Sequence, residues 1–359
     1  MKIIHCADLH LDSKMETHFS SEQARERRYE ILETFENMVD FGCEQGVSVI
    51  IIAGDLFDTP QHQQKTIKNR VLEKIKNTQQ IDFLYLQGNH DRDDYFKTLS
   101  DRPQNLKLFG RQWMSHRYEQ VVITGMECLE QKEDYDKLLL RESDFNIVAL
   151  HGQVEKYGNK AGEDTILLSQ LQNKYIDYLA LGHIHEYKGD KLDYRGIYQY
   201  SGCLEGRGFD ETGEKGFVLL EVLKNHLTHQ FVPFSKRKFH EITIELNQNH
   251  LSEDCLLEVE NQVKLISKDD MVKIVLSGKI SETMEIDLSY IEQKWKKAFY
   301  FMKVIDQTQL FVDYRKYEND ISFKGEFIRT VNQLDLDEDE KSKVIMMGIH
   351  AIVDGGYLQ

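Results

Sequence analysis

At 359 residues and 42.2 kDa the chain is long enough for a large core, and at roughly 150 residues per domain it suggests two domains or one large domain with an appendage. A hydrophobic content of 40% with only 3 prolines excludes a disordered chain, and no apolar run approaches the roughly 18 to 20 residues that cross a bilayer. The formal net charge of -16 excludes recognition of nucleic acid by bulk electrostatics, so a polyanionic substrate needs a local remedy such as metal ions.

In chain order, residues 3–7, 47–53, 83–87, 147–150, 178–181 and 217–222 are nearly continuous apolar runs and read as buried strands. Helical patterns at 24–44, with Ile31, Phe35, Met38, Val39 and Phe41 on one side, and at 65–76 separate the first three. Strands alternating with helices predict a layered α/β domain over residues 1–235. The pattern breaks at Pro233 and the basic "SKRK". Beyond it, strands at 242–246, 272–276, 301–305 and 311–314 and helices at 254–266 and 288–298 predict a smaller β/α domain over 240–315.

Residues 316–359 read as a tail of two helices. The second opens on the acidic "DLDEDE", which suits a helix N-terminus, places Ile345, Ile349 and Ile352 at helical spacing, and stops at Gly355-Gly356. This pair either packs on its own domain or docks a partner. The cysteines, Cys6, Cys43, Cys128, Cys203 and Cys255, are odd in number and form no C-x-x-C pair. That argues against structural zinc and a disulfide framework and for a reducing cytoplasm. The first ten residues are too short and polar for a secretory signal, so the protein is expected to stay where it is made.

Apolar strands end in ligand-type side chains at "IIHCADLH" (Asp8, His10), "IIIAGDLFD" (Asp55, Asp58), "LYLQGNHD" (Asn89, His90, Asp91), "IVALHGQ" (His151) and "YLALGHIHE" (His183, His185). A single histidine after a strand is most often a hydrogen-bonded structural residue. Repetition of the pattern at the strand ends where α/β folds place their sites points to one shared centre. Residues i and i+2 of an extended segment face one side, which predicts that Asp8 converges with His10, and His183 with His185. Gly54, Gly88, Gly152 and Gly182 flank the clusters and suit tight turns. Asp8, His10, Asp55, Asn89, His151, His183 and His185 are more ligands than one ion uses, and two ions sharing a carboxylate would use them all. Carboxylate, amide and imidazole donors without thiolate suit Mn²⁺, Fe²⁺ or Zn²⁺ better than Ca²⁺. Two such ions activate water and stabilise charge on a phosphate, which makes phosphoester hydrolysis the expected chemistry.

The motifs "DLH", "GDLFD", "GNHD", "HGQ" and "GHIH", in this order and spacing, resemble the calcineurin-like metallophosphoesterase superfamily over roughly the first 235 residues. Within it, "CADLHLD", "YSGCLEGRGFDETGEKGFVLLEV" and the added C-terminal domain resemble the SbcD-type DNA repair exonucleases, nearest their YhaO-like branch. The resemblance implies an α/β sandwich of two sheets flanked by helices, with a C-terminal capping domain that positions DNA and a helical tail. It implies one ion on Asp8, His10, Asp55 and His185, and a second on Asp55, Asn89, His151 and His183. It makes His90 the catalytic histidine, oriented by Asp91, that stabilises developing charge and protonates the leaving 3′ oxygen. Some relatives carry a histidine after "GDLF" where this chain has Asp58, which reads either as a turn or helix cap or as a substrate contact; His62 is equally open. Arg92, Lys156 and Arg207 near the motifs are either phosphate contacts or ordinary solvated charges.

The resemblance further implies 3′ to 5′ exonuclease activity, with or without endonuclease activity, Mn²⁺ as the preferred ion, a coiled-coil SMC-type ATPase partner (SbcC-like) docking on the tail, and a homodimer. Two other readings stand beside a DNA nuclease. A phosphatase or phosphodiesterase for a small phosphoester would use the same cluster but has no need of residues 240–359. A non-catalytic scaffold of an ATPase complex would be expected to have lost a ligand.

Overall fold

The computed structural model describes the chain except residues 16–18, 59–64, 92–94, 130–131, 157–163, 225, 282–283, 312–316, 318 and 354–359. Chain contacts divide it into two compact units, Met1–Lys238 and Phe239–Gln359.

The first unit is a sandwich of two six-stranded sheets. One orders the strands His226–Pro233, Gly216–Leu223, Lys2–Cys6, Val47–Ala53, Asp82–Leu86 and Leu106–Leu108. The other orders Lys188–Lys191, Ile197–Tyr200, Tyr178–Gly182, Phe145–His151, Val121–Gly125 and Met114–Tyr118. All six strands expected from the apolar runs form within a residue or two of their predicted limits. The sequence reading missed the edge strands, such as Met114–Tyr118 and Lys188–Lys191, because they are short and exposed and so carry no buried run. The sandwich core joins the inner faces: Ile3, Val49, Ile51 and Leu84 from one sheet meet Ile123, Ile147, Ala149 and Ala180 from the other. A second cluster, including Tyr135, Val148, Leu150, Leu168, Leu171 and Leu181, covers the far side of the second sheet.

The helix expected over 24–44 begins earlier, at Ser21, because Ser20 caps it. The Ser20 hydroxyl accepts from the Gln23 amide (3.3 Å), and the Gln23 side chain accepts from the Ser20 amide (3.2 Å), a capping box worth about 1 kcal/mol. Ile31, Phe35, Met38 and Val39 are fully buried on one side of this helix, as the spacing predicts. The second helix spans Lys65–Asn77.

In the second unit the parallel strands Phe239–Leu246, Met271–Ile280 and Phe301–Asp306 form a sheet, with Gln309–Leu310 pairing along Met271–Ile280. The helices Ser252–Val263 and Leu288–Trp295 pack on it through Cys255, Val259, Ile291 and Trp295. Of the strand expected at 311–314, residues 312–314 lie outside the described residues. The tail helices Phe323–Asn332 and Glu338–Val353 share a core of Ile328, Val331, Ile345 and Ile349 with Leu310. The Ser342 hydroxyl ties the second of them to the Leu310 backbone on both sides (3.0 and 2.9 Å). The stop at Gly355-Gly356 and the packing of Ile352 lie outside the described residues.

Candidate metal centre

Lys2–Cys6, Val47–Ala53 and Asp82–Leu86 run parallel in one sheet, and Phe145–His151 and Tyr178–Gly182 run parallel in the other. Their C-terminal ends therefore deliver Asp8, His10, Asp55, Asn89, His151, His183 and His185 to one place, the position at which parallel sheets build sites.

Convergence does not come from extended i, i+2 pairs as the sequence reading expected. The first strand ends at Cys6, and Asp8 (φ 53°), His10 (φ 44°), Asp55 (φ 54°) and His183 (φ 100°) all take left-handed backbone conformations. Such residues cost about 1–3 kcal/mol each and persist only where neighbours over-determine them. Here the two loops zip together: the amides of Asp8, His10 and Leu11 donate to the carbonyls of Gly54 (3.1 Å), Asp55 (3.0 Å) and Leu56 (3.0 Å). Space is just as restrictive. A Cβ on Gly54 would collide with the His151 ring, and one on Gly88 with the Asp55 carboxylate.

Two ligand groups meet at Asp55. In the first, Asp8, His10 and His185 bring ligand atoms within 4.8 Å of one another, and His10 Nε2 lies 3.9 Å from Asp55 Oδ2. In the second, the same Asp55 Oδ2 is 3.3 Å from His151 Nε2, which is 3.0 Å from Asn89 Oδ1; His183 Nδ1 faces that amide oxygen at 3.4 Å. Asp8 also lies within reach of Asp55 and His151, and its carboxylate accepts from the His183 amide (2.9 and 3.1 Å).

The donor set asks for a cation. His10 Nδ1 is held by Asp58 Oδ1 (2.5 Å) and His185 Nδ1 by Glu211 Oε1 (2.7 Å), which assigns the proton of each ring to Nδ1. Both Nε2 lone pairs then face each other across 3.3 Å, a repulsive contact that a positive ion between them relieves. His151 follows the same plan, its Nδ1 on the Ala53 carbonyl (2.9 Å) and its Nε2 on the cleft. Burial pushes the His151 imidazole down, but the hydrogen bond and charge of Asp55 and the charge of Asp8 outweigh it and raise it to about 9. Burial likewise pushes Asp55 up, and the hydrogen bond and charge of His151, the charge of His10 and the His90 amide hold it well below the usual carboxylate range. The residues thus fit divalent ions of oxygen and nitrogen preference.

His90 sits beside this cluster with its side chain half exposed, and its amide donates to Asp55 Oδ1 (2.9 Å). Asp91 does not orient its ring. The Asp91 carboxylate is buried and accepts the amides of Leu56 (3.2 Å), Phe57 (2.9 Å) and Gly88 (3.0 Å), so it clamps the Asp55 loop to the His90 loop. Burial and the charge of Asp55 push its carboxyl up to about 7 against those three amides. The partner of His90 is Asp58, whose Oδ1 lies 3.3 Å from His90 Nδ1 as well as on His10.

Asp58 is therefore neither a simple turn cap nor free to meet substrate. Its other oxygen pairs with Arg207 Nη1 (3.3 Å), and its amide donates to the buried Asp12 (2.6 Å). Arg207 is not a solvated charge either: it also pairs with Glu211 (2.8 Å), the carboxylate behind His185. Lys156 pairs with Asp190 (2.8 Å) on the surface. Arg92 and His62 lie outside the described residues. Sequence reading missed Glu211. The only signal was its place in the acidic, glycine-rich "GRGFDETGEKG", which does not reveal that it reaches His185.

Residues 1–187 match the calcineurin-like phosphoesterase family. The DNA double-strand break repair protein Mre11 of Sulfurisphaera tokodaii is 26% identical over 298 residues, covering 77% of this chain and 74% of that protein. The Mre11 of Sulfolobus acidocaldarius is 23% identical over 349 residues, covering 92% of this chain and 86% of that one. The metallophosphoesterase YhaO of Bacillus subtilis is 25% identical over 245 residues, covering 64% of this chain and 60% of its own length.

Proposed function

The chain belongs to the calcineurin-like phosphoesterase family, a metal-dependent class, and on that premise we propose that it is a DNA nuclease acting 3′ to 5′ with Mn²⁺. The observation that carries the reading is Asp55, one carboxylate that lies between two groups of ligand-type side chains. Similarity to Mre11 proteins over up to 92% of the chain supports DNA as the substrate.

In this reading Asp8, His10, Asp55 and His185 would hold one ion, and Asp55, Asn89, His151 and His183 would hold the other. Two divalent ions at such a centre supply Lewis acidity for an attacking water and neutralise charge on the phosphate. His90, exposed at the edge and steadied by Asp58, donates a proton to the leaving oxygen as the phosphorus–oxygen bond breaks. Asp58 and Glu211 fix the ring orientations of His10 and His185, and Arg207 offsets the charge of both carboxylates.

Within the second unit, residues 240–315 position the strand, and the tail docks a coiled-coil SMC-type ATPase; Ile321, Phe323 and Met347 support this by standing exposed on it. A homodimer and a cytoplasmic location complete the proposal. Five cysteines without a disulfide support a reducing compartment, and among the described residues no helix is long and apolar enough to cross a membrane. The test is Mn²⁺-dependent digestion of end-labelled single- and double-stranded DNA beside bis-p-nitrophenyl phosphate. Release of 5′-mononucleotides from the 3′ end is expected, and hydrolysis of the small diester alone would overturn the reading.

A further inference from the structure

Lys68 is fully buried, which is rare for a lysine unless its charge is matched. It stands on the Lys65–Asn77 helix, with Nζ 3.8 Å from Oδ2 of the fully buried Asp12 and over the rings of Phe57 (5.2 Å) and Tyr95 (5.9 Å). Neither the ligand groups nor the proton donor account for this buried pair.

Asp12 closes the seam between the two ligand loops. Beyond the backbone bonds made by Asp8, His10 and Leu11, its Oδ1 accepts the Asp58 amide (2.6 Å) across that seam. The Phe57–Asp58 peptide is thus held twice, by Asp12 at its N–H and by the Phe57 ring against Lys68. The place of this peptide sets where the Asp58 carboxylate stands, and that carboxylate carries His10 and lies against His90. Asp58 and Asp12 each meet a cation, Arg207 (3.3 Å) for the first and Lys68 for the second. Burying the Asp12 charge is costly without a cation beside it, so Lys68 lets an aspartate serve as the acceptor.

We propose that Lys68 is a positioning residue of the centre: by matching the charge of Asp12 it holds the Asp58 amide, and through it the carboxylate that orients His10 and His90. The inference rests on the reading that His10 binds an ion and His90 donates a proton.

The test uses the intact chain with Lys68→Met, which keeps the length and removes the charge. A second variant combines Lys68→Met with Asp12→Asn, whose amide oxygen still accepts from Asp58 and needs no cation. Mn²⁺ binding to the metal-free protein is followed by calorimetry, and kcat and KM are measured on bis-p-nitrophenyl phosphate. Lys68→Met should weaken Mn²⁺ binding and lower kcat by about tenfold each with KM little changed, and the double variant should recover most of both losses. A change that only reduced the amount of folded protein would lower the binding stoichiometry and leave the affinity as it was. Wild-type affinity and kcat in Lys68→Met, or a double variant no better than the single one, overturns the proposal. Should Lys68→Met fail to fold, the double variant decides by the same comparison with wild type; failure of both to fold assigns the pair to stability and overturns the proposal. A wild type that neither binds Mn²⁺ nor cleaves the diester overturns the reading of the centre. One that shows the coupling and leaves DNA intact overturns the nuclease reading alone.

Discussion

Asp58 accepts from His10 and lies against His90 through the same oxygen, so one carboxylate sets the orientation of a candidate ligand and of the proposed proton donor together. Its charge holds a proton on Nδ1 of both rings, leaving Nε2 of His10 for the ion and Nε2 of a protonated His90 as the proton donor of the proposed reaction. Asp58→Asn keeps the size and removes the charge. It should lower kcat by about 10- to 100-fold and weaken metal affinity in a chelator competition, whereas His90→Asn should lower kcat and retain metal. Equal metal affinity in wild type and Asp58→Asn would remove the coupling to His10. The sequence made Asp58 visible because it follows "GDLF", but its role depends on Arg207, 149 positions away. A separation of 34 and 35 positions hid the task of Asp91: adjacency to His90 suggested a pair, and the fold turns its carboxylate to the amides of Phe57 and Leu56, and of Gly88.

At the level of elements, the Ser21–Glu44 helix reaches the centre indirectly. Arg27 is fully buried and pairs with Glu30 (2.6 Å) and with Glu205 (3.1 Å), which lies in the loop that also carries Arg207 and Glu211. Arg237 closes the network on Glu30 (2.6 Å). Burial pushes the Glu30 carboxyl up, but hydrogen bonds and charges from Arg237 and Arg27 bring it down to about 2 from an ordinary 4.5. A carboxyl depressed in the folded state stabilises above its ordinary value and loses that contribution as pH falls from about 4.5 to about 2. Glu30→Gln should therefore cost about 2 kcal/mol at pH 7 and much less near the acid limit, read by denaturant unfolding across that range. A cost independent of pH would assign the effect to packing. The sequence indicated this helix and its apolar side; the buried arginine was illegible, because nothing local says that residue 27 meets residue 205.

At the level of the whole molecule, the tail helices bury Ile345 and Ile349 against Ile328 and Val331, so the spacing that suggested a helix is spent on an internal core. What remains exposed on the tail is a different set, including Phe323 and Met347. Replacing both with aspartate should abolish co-purification with a coiled-coil ATPase and leave turnover of a small diester as it was; retained co-purification would move the docking surface elsewhere. Sequence alone determined the strands, the α/β layering and the candidate ligands that the fold brings together, because a buried strand writes its signal in consecutive residues and ligand-type side chains stand out at strand ends. Only the tertiary structure decided what lies behind those ligands. The left-handed backbone at Asp8, His10, Asp55 and His183 and the reach of Glu211 to His185 arise from segments brought together by the sandwich, and contacts of that range leave no periodic trace in the chain.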